Sequence, residues 1–270
     1  MRDEAAHGGI LAAEEDGRMP DVATYVNVAG RRVWHEVSGA GRPLVLLHGG
    51  FSGAASFAAQ TPALAATGFR VHVPERRGHA HTPDVDGPLT YAVMAEDTIA
   101  YLEQEVRGPA HLVGWSDGAV VALLVAMRRP DLVARMVLID QYYAAAGRAE
   151  DGDGDLTEAL AAPEAMEFLR HGYDPVSPDG PEHFAVVHAK TIQMWRTEPE
   201  IPLSELAGVT APTLVLQADR GAVRLDHSAA VAAALPEGRL AVLPGTHSLP
   251  AESPGPVNAL LVDFLGAATP

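Results

Sequence analysis

The apolar positions of this chain switch repeatedly between two periods. Thr24–Val28 and Arg31–Val37 each alternate apolar with polar around Gly30, which predicts a β-hairpin. Leu44–Leu47 is short and wholly apolar, as expected of a strand covered on both faces of a parallel sheet. Further strands are predicted at Phe69–Val73, Ala110–Val113, Met136–Ile139, Thr213–Gln217 and Leu240–Leu243. Helical stretches lie between them. Ala54–Thr67 is closed by Gly68, Thr90 caps a helix running to Val106, and Ala119–Arg129 stops at Pro130. Ser228–Leu235 and Pro256–Leu265 follow the later strands. Strands that alternate with helices imply a mostly parallel sheet with helices on both faces. Ligands then sit beyond the carboxyl ends of the strands.

The alternation lapses once. From Gln141 to Leu206 there are Asp-Gly repeats, prolines and amphipathic helical stretches, but no convincing strand. The expected organisation is a tail over residues 1–20, a core over 21–140 and 207–270, and a helical insertion over 141–206. No internal repeat is visible. The 270 residues, 47 % of them hydrophobic, suffice for a sizeable core. A formal net charge of −16 disfavours nucleic acid and anionic membranes as partners. The absence of cysteine excludes disulfides, thiolate catalysis and zinc–thiolate sites. No stretch has the form of a signal peptide or a membrane helix, so a cytoplasmic protein is expected. The abundance of Ala, Gly, Pro and Arg suggests a GC-rich bacterial source. The expected partner is a small-molecule substrate, and the expected state is a monomer or homodimer.

Gly114-Trp115-Ser116-Asp117-Gly118 fits G-x-S-x-G between a predicted strand and a predicted helix, the context that motif requires. A sharp turn there holds Ser116 in a strained conformation at a helix N-terminus, where backbone N–H groups favour developing negative charge. A serine hydroxyl needs a base. His247, in Pro244-Gly245-Thr246-His247-Ser248, follows the last predicted strand and is placed to serve. An acid should orient the imidazole. Asp219, after the Thr213–Gln217 strand, is the expected acid, and Asp140, at the end of the preceding strand, is its rival. Asp226 reads instead as a cap of the next helix. Oxyanion donors are expected from the Asp117 N–H and from either Gly50 or Phe51 in His48-Gly49-Gly50-Phe51.

Taken in order, His48-Gly49-Gly50, Arg77-Gly78-His79, the Gly114–Gly118 turn, Asp219 and His247 resemble the α/β-hydrolase superfamily over about Val22–Leu265. The resemblance implies an α/β-hydrolase fold: an eight-stranded, mostly parallel sheet with a helical cap inserted after the sixth strand. The sequence Gly-Trp-Ser-Asp-Gly is similar to that of valacyclovir-hydrolase-like (biphenyl-hydrolase-like) members, which cleave small esters. Members with Asp as nucleophile include epoxide hydrolases and haloalkane dehalogenases, and Ser116 argues against both. The expectation is therefore a cofactor-free serine hydrolase of a carboxylic ester, thioester or lactone. Two alternatives are a lyase, cyclase or C–C bond hydrolase on the same fold and triad, and a non-catalytic ligand-binding protein.

Trp115, Asp117 and Trp195 are candidate pocket residues. The Asp117 carboxylate has two readings: it faces the pocket and favours a cationic amine, or it caps its helix. No metal is expected. Asp151-Gly152-Asp153-Gly154-Asp155 lacks the glycine and glutamate of a calcium loop, and His79-Ala80-His81 with Asp84 lacks further ligands.

Overall fold

The computed structural model describes residues 22–148 and 156–266, so the predicted tail and the acidic run Asp151–Asp155 lie outside the described residues. β1 (Val22–Val28) and β2 (Arg31–Ser38) form the hairpin around Gly30. Next come β3 (Arg42–Leu47), a 3₁₀ turn (Ala54–Phe57), α1 (Gln60–Ala65) and β4 (Phe69–Pro74). α2 (Tyr91–Tyr101) has Thr90 as its N-cap, with the hydroxyl accepting the Val93 N–H, and continues as a π turn over Leu102–Val106. β5 (Ala110–Trp115), α3 (Asp117–Arg128) and β6 (Val133–Ile139) complete the first part of the core.

Three helices follow: α4 (Leu156–Ala161), α5 (Pro163–Tyr173) and α6 (Phe184–Thr197). The core resumes with β7 (Thr213–Arg220), α7 (Leu225–Ala234), β8 (Gly238–Thr246), α8 (Leu249–Glu252) and α9 (Pro254–Gly266).

The eight strands form one sheet in the order β1-β2-β4-β3-β5-β6-β7-β8. β2 is antiparallel to both its neighbours, and all other pairs are parallel. The period of two explains why the central strands read as unbroken apolar runs. Val45 and Leu47 of β3 join Leu112 of β5 and Met136 and Leu138 of β6 in the cluster under α2, α3 and α7. Leu44 and Leu46 join Val113, Val137 and Ile139 in the opposite cluster under α1 and α9. Both faces are covered, so these apolar side chains are all buried, and each contributes about 1.5–3 kcal/mol.

Local chemistry shifts several boundaries. The single helix expected over Ala54–Thr67 is broken, because Pro62 in its interior would clash with the carbonyl four residues earlier. Starting α1 at Gln60 places Pro62 in the first turn, where a missing N–H costs nothing. α7 begins at Leu225 rather than Ser228, and its N-cap position is Arg224 without a side-chain cap. Asp226 therefore does not cap; it pairs with Arg224 at 2.6 Å. β7 runs on to Arg220, which pairs with Thr246.

The β6–β7 connection carries α4–α6. They pack together with Tyr173, Phe184 and Val187 as a small apolar centre, against which Phe51 and Leu169 lie. Leu206 does not belong to this layer: it is fully buried in the main core within a 3₁₀ turn, Leu203–Gly208. Among the described residues, no helix is long and apolar enough to cross a membrane.

β3 and β5 are neighbours whose outgoing connections leave toward opposite edges of the sheet. A crevice opens between them at their carboxyl ends. The β3 loop, the β5–α3 turn and the insertion meet there.

Candidate active site

β5 delivers Ser116 into a turn with φ 55° and ψ −122°, and α3 starts one residue later. The flanking glycines are needed for close approach. A Cβ at Gly114 would stand 2.3 Å from the Gly118 carbonyl oxygen, and one at Gly118 would stand 2.0 Å from that of Leu47. The Ser116 N–H donates to the Ile139 carbonyl at 2.9 Å, which ties the strained turn to β6. A non-glycine residue at this φ costs about 1–3 kcal/mol, and the packing on both sides holds it there.

His247 follows β8 and reaches the turn from the far edge. Its Nε2 lies 2.9 Å from Ser116 Oγ, and its Nδ1 lies 3.1 Å from Asp140 Oδ2. An ionised carboxylate only accepts, so Nδ1 carries the proton and Nε2 presents its lone pair to the serine hydroxyl. The Trp115 indole N–H donates to the His247 carbonyl at 2.7 Å and fixes that loop beside Ser116.

The carboxylate facing His247 is Asp140, which corrects the expectation of Asp219. Asp140 ends β6 with φ 47°, is fully buried, and accepts the Ala218 N–H on Oδ1 at 2.8 Å. A Cβ at Gly221 would stand 2.3 Å from Asp140 Oδ2, so the β7–α7 turn leaves room for this carboxylate. Asp219 lies inside the extended β7, its side chain 48 % exposed, and accepts the Gly245 N–H at 2.8 Å. The continued β7–β8 pairing spends Asp219 on the β8 backbone.

The β3 loop closes the other side. Gly49 sits against Trp115 and Ser116, where a Cβ would be 3.1 Å from the indole and 3.4 Å from the serine Cβ. At Gly50 a Cβ would stand 2.4 Å from the Trp195 ring and 2.7 Å from Asp117 Oδ2. Phe51 has φ 53°, and its ring packs on Phe184, His188 and Trp195.

Asp117 neither caps α3 nor offers an open carboxylate. It is buried, and it accepts the Tyr91 hydroxyl at 2.7 Å and the Trp195 indole N–H at 2.9 and 3.0 Å. It thus joins the Ser116 turn, α2 and α6. Burial and then the Asp117 charge hold the Tyr91 hydroxyl well above its ordinary pKa, so it stays a donor.

A cavity of about 280 Å³ opens at Ser116 and His247. Trp115, Asp117 and Trp195, the candidate pocket residues, are among those that line it. Tyr142, Arg148, Leu160, Leu169 and Val223 also line it and were missed, because they come from the insertion and the β7–α7 turn, where no local motif marks a pocket position. The Arg148 guanidinium lies over the Tyr142 ring and donates to the Trp195 carbonyl, which braces this wall.

The other histidines singled out lie elsewhere. His81 binds Glu75 and stacks on Trp34, and Asp84 pairs with His183 and Lys190. Among the described residues, no three His, Asp or Glu side chains are grouped to hold a metal ion.

The profile of the alpha/beta hydrolase family matches residues 44–260. The chain belongs to the α/β-hydrolase family. It is 37% identical over 135 residues to the pimeloyl-[acyl-carrier protein] methyl ester esterase of Aromatoleum aromaticum, a match covering 50% of this chain and 51% of that enzyme. It is 24% identical over 262 residues to the putative carbamate hydrolase RutD of Azorhizobium caulinodans, across 90% of this chain and 98% of that one. The chain thus spans about half the length of the esterase, and 32% of the sn-1-specific diacylglycerol lipase ABHD11 of mouse, which it also matches. Among solved structures, a hydrolase from Pseudomonas aeruginosa superposes with a TM-score of 0.73 at 24% identity, covering 91% of this chain and 98% of that one. The 2-hydroxy-6-oxo-6-phenylhexa-2,4-dienoate hydrolase of Rhodococcus superposes with a TM-score of 0.72 at 19% identity, covering 92% and 99%. These likenesses establish that this α/β-hydrolase shares their fold.

Proposed function

We propose that this α/β-hydrolase is a serine hydrolase of carboxylic esters, thioesters or lactones. The observation that carries the reading is the continuous chain of contacts from Asp140 through His247 to Ser116 Oγ at the mouth of a cavity. His247 Nε2 takes the hydroxyl proton as Ser116 Oγ attacks the acyl carbon. Asp140 stabilises the imidazolium that forms. The carbonyl oxygen gains charge beside the first turn of α3 and the β3 loop, where backbone N–H groups of Asp117 and of Gly50 or Phe51 hold it; one such donor is worth about 3 kcal/mol. The tetrahedral adduct collapses, the C–O or C–S bond breaks, and the leaving group departs with the proton from His247. Water then attacks the acyl-enzyme, His247 takes its proton, and the carboxylic acid and free Ser116 result.

The wall formed by Trp195, Leu160 and Leu169 limits bulk water and favours a modest apolar acyl group. Esterase, lipase and hydrolase names among the relatives agree with this reading. The test is hydrolysis of short p-nitrophenyl esters by the parent, Ser116→Ala and His247→Ala. Turnover in the parent that falls by about 10⁴-fold or more in each variant is expected. Parent turnover that survives both substitutions would overturn the assignment.

A further inference from the structure

A buried cation that the reaction above does not use lies against the β3 loop. Arg76 follows β4 and is 5 % exposed. Its guanidinium points at the β3 loop: one nitrogen donates to the His48 carbonyl and the other to the Gly49 carbonyl at 3.0 Å. The Arg76 backbone N–H donates to His48 Nε2 at 3.0 Å. That bond puts the imidazole proton on Nδ1, which itself donates to the Gly49 carbonyl at 2.8 Å. The Ser52 hydroxyl donates to the same oxygen at 2.9 Å. Three side chains therefore converge on one carbonyl, and one of them is charged.

That carbonyl belongs to the peptide whose N–H is Gly50's. A peptide unit is conjugated, so donors loaded on its oxygen draw density from its nitrogen and strengthen the N–H as a donor. A charged donor does this about twice as strongly as a neutral one. The same bonds fix the plane of the peptide and so the direction of its N–H. Burial lowers the Arg76 pKa to about 10, and the nearby Asp117 carboxylate opposes that shift, so the guanidinium stays charged at neutral pH. Burial and the Arg76 charge depress His48, which remains a neutral, single-tautomer donor.

We propose that Arg76 is a positioning residue for the oxyanion donor: through the Gly49 carbonyl it aims and polarises the Gly50 N–H, and it thereby makes Gly50 rather than Phe51 the β3-loop donor. The inference rests on the serine-hydrolase reading and adds a residue to it. Arg76 touches no reacting atom. Its effect appears where charge develops on the carbonyl oxygen, hence in kcat and in affinity for tetrahedral analogues rather than in ground-state binding.

The test compares the parent, Arg76→Lys and Arg76→Met on a short p-nitrophenyl ester and on an aryl trifluoromethyl ketone, which forms a tetrahedral oxyanion adduct with serine. Arg76→Met is expected to lower kcat by about 10- to 100-fold with KM within about threefold, and to weaken the ketone by the same factor as kcat. Arg76→Lys, which keeps the charge, is expected to recover part of both. Equal losses in KM and ketone affinity, or an unchanged kcat in Arg76→Met, would overturn the proposal. If Arg76→Met does not fold, Ser52→Ala decides. It removes a neutral donor from the same oxygen at a half-buried loop position, and a fall in kcat of about two- to fivefold at unchanged KM and Tm is expected; no change would overturn the proposal. A parent that turns over no ester and forms no ketone adduct would instead refute the serine-hydrolase reading itself, which separates the two failures.

Discussion

Asp140 and Asp219 stand at the ends of adjacent strands and compete for one role on paper. Only Asp140 is within reach of His247, at 3.1 Å, while Asp219 holds the Gly245 N–H. Asp140→Asn is therefore expected to lower kcat/KM by about 10²- to 10⁴-fold, because the amide favours the wrong imidazole tautomer. Asp219→Asn should stay within about threefold of the parent; steady-state kinetics on one ester measures both. Asp117 yields a second prediction. Its oxygens already receive Tyr91 and Trp195, so an aminoacyl ester and its deaminated analogue should differ by less than about threefold in kcat/KM. A strong preference for the amine would restore the pocket-facing reading of this carboxylate. Ser116 and His247 could be picked out in the sequence as candidates because a G-x-S-x-G turn and a histidine after the last strand are defined by nearby residues, and the fold brings the two within 2.9 Å. The carboxylate that meets His247 was not legible. Which carboxylate is left for His247 depends on how far β7 keeps pairing with β8, and nothing within β7 records that.

At the level of elements, the strands were legible because parallel strands covered on both faces must be wholly apolar. Their ends were not. β7 outlasts its apolar run, since Ala218–Arg220 pairs with β8 despite two charged side chains. The stretch without strands could be read from the sequence, but its attachment to the core could not, because that attachment is made of long-range contacts such as those of Trp195 on α6 with Asp117 on α3 and of His183 and Lys190 with Asp84. Trp195→Phe keeps the ring and removes the N–H, leaving a buried carboxylate short of a donor at a cost of about 1–3 kcal/mol. We expect KM to rise several-fold with a smaller change in kcat, and faster limited proteolysis within residues 156–197. Gly50→Ala acts at the same joint. Its Cβ would strike Trp195 and Asp117, and a loss in kcat of about 10²-fold is expected.

At the scale of the whole molecule, several histidines are buried among the described residues. Burial depresses His35 and His48, and holds His72, His111 and His227 down to about 4 and His79 to about 3. In the unfolded chain each would titrate near 6.5. Below that pH the unfolded state binds more protons than the folded one, so stability is full above about pH 7 and declines as pH falls toward 4. A drop in Tm on the order of 10 °C between pH 7 and 5 is expected by calorimetry. A flat profile would mean that these imidazoles are protonated in the folded protein. The same fold brings Ser116, His247 and Asp140 together from three separate strand ends, and the central claim is that this assembly activates the serine. Treating the parent and Ser116→Ala with a fluorophosphonate probe and mapping the adduct by peptide mass spectrometry tests that claim most directly. The account predicts a single phosphonylated peptide, with the mass on Ser116, and none in the variant. An unlabelled parent, or a label on any other residue, would contradict it.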